Sequence, residues 1–127
     1  MTQQAATADS LIDAMIPVLD REVELLDVRR EQLLQLLRAT LDRNEEALGA
    51  LLEEIEKALE RQAHTDRQLS LLRRQLAEKM GRPLDQVRLA SLAESVSEPR
   101  RSAILDRRRR IVELTEALRE QHLRTAL

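Results

Sequence analysis

Apolar residues recur at three- and four-residue steps through most of the first 80 positions, and the pattern breaks only once. The first run is Ile12, Ile16, Leu19, Val23, Leu26, Leu33 and Leu37, with Arg30 as its polar member. The second is Leu48, Leu52, Ile55, Leu59, Gln62, Asp66, Leu69, Leu76 and Met80. This spacing keeps the residues on one side of a helix, whereas a strand would need strict alternation. Extra apolar neighbours such as Met15, Leu25, Leu34, Leu36 and Leu41 widen the first stripe, so that helix is expected to touch more than one partner. The break at 40–45 is too short for anything but a tight turn, which forces the two helices antiparallel.

Punctuation sets the expected boundaries. Ser10 followed by Asp13 reads as an N-cap, and Asp42 followed by Glu45 reads as a second. Gly81, with Pro83 two residues on, reads as a C-terminal stop. Pro17 inside the first stripe removes one backbone donor and predicts a kink. Asp85 can cap a short helix carrying Leu89, Leu92, Ala93 and Val96, and Pro99 opens a last long one. The expected fold is all-α: a long antiparallel hairpin (about 10–41 and 43–80), a short helix (about 85–97) and a long C-terminal helix (about 99–125) in a coiled-coil-like bundle. The chain makes one domain, with 1–9 expected to be disordered. Folding about residue 42 opposes positions whose numbers sum to about 85. Leu33 should then face Leu52, and Gln62 and Asp66 should be wet or bonded to Arg21.

Composition supports this reading and removes several functions. Leu fills 25 of 127 positions, while Gly occurs twice and Pro three times, too few turn formers for a sheet protein. There is no Phe, Tyr or Trp, hence no base-stacking platform, and no Cys, hence no thiolate chemistry. The two glycines are far apart, so no phosphate loop exists. Neither His64 nor His122 has a Glu three residues before it, as a di-metal bundle requires. No catalytic residue, metal or cofactor is expected, nor a small-molecule substrate, and the chain does not read as an enzyme.

Net charge is -2, but it is unevenly spread: residues 100–127 carry +4. Arg107, Arg108, Arg109 and Arg110 point around a whole helix rather than to one side, so they read as a solvated, ion-paired stretch and not as a nucleic-acid patch. No secretory leader is expected from the polar opening residues, and no apolar run reaches membrane-spanning length. A cytoplasmic protein, monomeric or homodimeric, with no membrane insertion, is the simplest expectation.

The arrangement resembles the FlgN-like flagellar export chaperones over roughly residues 9–125. The resemblance rests on the Leu-rich segment Leu33-Leu34-Gln35-Leu36-Leu37-Arg38, the turn Asp42-Arg43-Asn44, the stretch Ala47-Leu48-Gly49-Ala50-Leu51 and the Glu/Lys-rich Glu53-Glu54-Ile55-Glu56-Lys57-Ala58-Leu59-Glu60. Arg67-Gln68-Leu69-Ser70-Leu71-Leu72, then Arg88-Leu89-Ala90-Ser91-Leu92 after a Gly-containing break, and a long last helix complete it. The resemblance implies a chaperone that binds the C-terminal segments of hook-associated proteins, prevents their premature assembly and hands them to the flagellar type III export apparatus. It also implies that clients meet the last helix, chiefly Ile111, Leu114, Leu118 and Leu123. The alternative from periodicity alone is a structural or adaptor coiled coil acting through homo-oligomerisation.

Overall fold

A computed structural model describes the backbone of residues 2–126 and the side chains of residues 8–124. Four helices follow one another: α1 (Thr2–Leu41), α2 (Glu45–Met80), α3 (Leu89–Ser95) and α4 (Arg100–Ala126), with one 3-10 turn (Leu84–Gln86) before α3. The described residues contain no strand. The all-α expectation holds, and its element order is correct.

Helix α1 has 40 residues and is about 60 Å long at 1.5 Å per residue. It begins ahead of the expected cap: Ser10 lies inside it, because the segment before it lacks Gly and Pro and continues the helix. The segment 1–9, expected to be disordered, thus carries helical backbone from Thr2, while Met1 lies outside the described residues. Pro17 does not divide α1. It sits on the exposed side, while Met15, Val18 and Leu19 around it are buried and hold the helix in place.

The turn to α2 reverses within three residues. Arg43 takes a left-handed φ of 52°, and the cap is Asn44 rather than Asp42. The Asn44 side chain accepts a hydrogen bond from the Ala47 N–H at 3.1 Å. Gly81 ends α2 as expected, with φ 62°, and Arg82 N–H closes on the Ala77 carbonyl at 3.0 Å. The segment expected as one short helix over 85–97 is split at Val87 and Arg88. Arg73 explains the split, donating to the Val87 carbonyl at 3.0 Å and the Leu84 carbonyl at 3.2 Å and tying the turn to α2. Ser91 Oγ then accepts from the Arg88 N–H at 3.0 Å and starts α3 afresh.

Helix α1 is central. It packs on α2 and on α4, and α3 packs on α4, while α2 and α4 share at most a trivial contact. The hydrophobic core is concentrated where the turns are: Ile12, Met15 and Leu19 meet Leu76 and Ala77 of α2, Val87, Leu92 and Ala93, and Ile104 of α4. Toward the hairpin tip the buried positions become small or polar: Gln32, Ala39, Ala58 and Thr65, with Leu51 and Leu114 as the large exceptions. One end is therefore a packed core and the other a slender pair of helices with α4 alongside.

Candidate functional site

Because α2 and α4 both lie against α1 but not against each other, a cleft opens between them with α1 as its floor. At the core end it is a cavity of about 410 Å³. Met15, Leu19 and Glu22 form its floor, Leu69 and Arg73 one wall and Ile111 the other, with Val87, Leu89 and Leu92 closing the end. Near the hairpin tip a second cavity of about 240 Å³ is lined by Leu33, Leu36, Leu37 and Thr40 of α1 and by Gln121 of α4.

The two cavities open on the same side of α1. A step of seven residues returns to nearly the same side of a helix. Met15 and Glu22 at the core end share their side with Leu36 at the tip, and Leu19 shares its side with Leu33. The same rule extends the α2 wall: Leu48 and Ile55 share the side of Leu69, and Leu52 and Leu59 share that of Arg73. Leu52 and Leu59 are 54% and 46% exposed, whereas their neighbours Leu51 and Ala58 are buried. The α2 stripe read from the sequence is thus largely the wall of the cleft. Its seam with α1 lies one position back, so Leu52 is not the buried partner expected opposite Leu33.

Glu22 is the one carboxylate in the core-end cavity. Gln62 donates to it at 2.6 Å and to Asp66 at 3.0 Å. This pairing fits the expected antiparallel register, though the partner of Gln62 is Glu22 and not Arg21. Burial, opposed by the Gln62 hydrogen bond, holds the Glu22 carboxyl above the usual value, and the nearby Asp66 charge adds to the rise.

The sequence-nominated residues of α4 separate. Ile111 lines the cleft. Leu118, half-buried, lies seven residues on and shares its side. Leu114 is 0% exposed and cannot meet a partner: it is a core residue, which corrects its expected role. Leu123 is 61% exposed. It stands twelve residues from Ile111, which turns it about 120° away from the cleft. It shares the outer side of α4 with Leu105 and Val112, both about two-fifths exposed. A thin stripe does not reveal which of its members face the neighbouring helix, because that depends on where α4 docks.

Three of the arginines of α4 are held by aspartates of α1. Arg100 holds Asp13 with two hydrogen bonds of 2.9 Å and also reaches Asp9 at 3.6 Å. Arg107 holds Asp20 at 2.9 and 3.4 Å. Arg110 meets Asp27 at 3.2 Å. Asp13 to Asp20 and Arg100 to Arg107 are both seven-residue steps, so the ladder fixes α4 parallel to α1 and in register. The Arg100 guanidinium holds the Asp13 carboxyl below its usual range, and the Arg100 value rises in turn. Pairs this exposed are screened by solvent, so they specify register more than they stabilise. Asp106 and Glu113 pair within α4, with Arg109 at 3.3 Å and Arg110 at 3.6 Å. The longer-range α1 aspartates were invisible without the helix register.

No group of three or more His, Asp or Glu among the described residues could hold a metal ion. No helix among them is long and apolar enough to cross a membrane. No protein-family model matches the chain, and comparison with curated proteins and with solved structures finds no match.

Proposed function

We propose that this chain is a cytoplasmic export chaperone. It binds the C-terminal segments of flagellar hook-associated proteins, keeps them from assembling early and delivers them to the type III export apparatus. The observation that carries the reading is the mainly apolar cleft on α1, which lies between α2 and α4. A client segment that is disordered when free would fold as a helix there. Ordering it opposes binding, so affinity stays modest and release remains easy, as delivery requires. The sequence resemblance points the same way. The client-facing residues in this reading are Ile111 and Leu118 from α4, joined by Leu69, Leu52 and Leu59 from α2; Leu114 is buried and Leu123 faces outward, so neither meets the client.

The test is co-migration on a sizing column with light scattering, with hook-associated proteins added with and without their C-terminal segments. The chain has no Trp or Tyr, so refractive index is the detector. A discrete complex that disappears with the segments supports the reading, and no complex with either client form overturns it. A second reading is homo-oligomerisation through the outer side of α4, favoured by the exposed Leu105, Val112 and Leu123. A stable oligomer that Leu105→Asp with Leu123→Asp dissolves would establish it.

A further inference from the structure

We propose that the cleft selects an amphipathic helix of two-edged charge, with basic residues along one border of its apolar stripe and acidic residues along the other. The proposal rests on the reading of the cleft as a helix-receiving site and names the chemistry of what enters.

The argument comes from the two rims. On α2 the column that contains Leu52 and Leu59 reads Glu45, Leu52, Leu59, Asp66, Arg73 in seven-residue steps. The column outside it reads Gly49, Glu56, Ala63, Ser70. Glu45, Glu56 and Asp66 are all exposed, and residues 45–66 carry a net charge of -5. The α4 rim is the reverse. The column next to Ile111 and Leu118 reads Arg101, Arg108, Thr115, His122, and the one outside it Leu105, Val112, Arg119. Neither α4 column contains an acid. Arg101 is engaged by the Ala93 and Val96 carbonyls at 3.0 and 3.2 Å, and Arg107 and Arg110 are turned to the α1 ladder. Arg108 and Arg119 are exposed and carry the positive rim.

The cleft is therefore mainly apolar at its floor, where Glu22 is tied to Gln62, negative along one lip over residues 45–66 and positive along the other. A helix whose edges carry one sign would be attracted by one lip and repelled by the other. A helix with opposite edges meets complementary charge on both, and only in one direction along the cleft. Charge complementarity of this kind sets specificity and orientation more than affinity. From Met15 to Thr40 the floor spans 25 residues, about 38 Å, so it accommodates a helix of some five to seven turns.

The probes are three fluorescein-labelled 21-residue helical peptides with one Leu stripe. One has a Lys edge and a Glu edge, one has Lys on both edges, and one has Glu on both. Anisotropy at low salt is expected to show the two-edged peptide binding on the order of tenfold more tightly than either other, a preference that shrinks in 0.5 M NaCl. Combining Glu56→Lys with Arg119→Glu should abolish the preference and leave the melting curve unchanged, because both side chains are exposed. Leu52→Asp with Leu59→Asp should abolish binding of all three, while Val28→Asp, exposed on the far side of α1 beside Arg21 and His64, should not. Equal affinity for the three peptides would overturn the charge inference and leave the cleft standing. No binding by any peptide, or loss on Val28→Asp and not on the Leu52 and Leu59 changes, would overturn the cleft reading itself.

Discussion

Leu114→Ala tests whether α4 is a packed part of the fold. Leu114 is 0% exposed, so truncation forfeits the whole transfer contribution of the removed carbons and opens a cavity. Fully buried Leu→Ala changes cost about 2.7–5 kcal/mol. Leu114 lies outside the main core cluster, toward the slender half of the molecule, where the surroundings can close in. The lower part of the range, about 3 kcal/mol, therefore applies. For a domain of this size that is a fall in melting temperature of roughly 10 °C. The assay is thermal unfolding by far-ultraviolet circular dichroism, with Leu123→Ala as the control. Leu123 is 61% exposed, and its loss should change stability by less than about 0.5 kcal/mol. If Leu114→Ala melts within about 2 °C of the parent, the docking of α4 on α1 described here is wrong.

Three further outcomes follow from the same geometry. Gln32 is buried with its side-chain Oε1 unpaired among the described residues, so Gln32→Met should raise the urea midpoint, by about 1–2 kcal/mol of stability. Glu22 has a raised carboxyl, so its native form binds a proton more readily than its unfolded form, and its contribution to stability falls as pH climbs from the ordinary Glu range through the raised value. Glu22→Gln should therefore be more stable than the parent at pH 7.5, with the advantage vanishing near pH 4, as paired urea titrations would show. Asn44→Ala removes the hydrogen bond to the Ala47 N–H and should cost about 1 kcal/mol in the same titration, whereas Asp42→Ala should cost little.

The helices themselves were legible because their stripes and the Gly81 stop are local signals. What the sequence left open concerns choices between adjacent residues. Leu51 and Leu52 fit the same three-four spacing equally well, and only the position of α1 decides that Leu51 is buried and Leu52 faces the cleft. Asp42 and Asn44 are both good caps, and the left-handed turn at Arg43 places the boundary at Asn44. Leu114 and Ile111 lie three residues apart on one helix. The floor of α1 separates them into a core anchor and a cleft wall. The aspartate–arginine ladder spans more than 80 residues of sequence, so no local pattern could announce it. The cleft was hidden for the same reason: it is made by the divergence of α2 and α4, a tertiary fact. Its wall carries the same spacing as an ordinary buried stripe.

The most direct measurement is a methyl spectrum of leucine- and isoleucine-labelled protein, recorded with and without the C-terminal segment of a hook-associated protein. The shifts expected are at Leu19, Leu33, Leu52, Leu59, Leu69, Ile111 and Leu118, with Leu71 and Leu105 unmoved. Shifts centred on Leu105 and Leu123, or none at saturating peptide, would contradict the cleft reading.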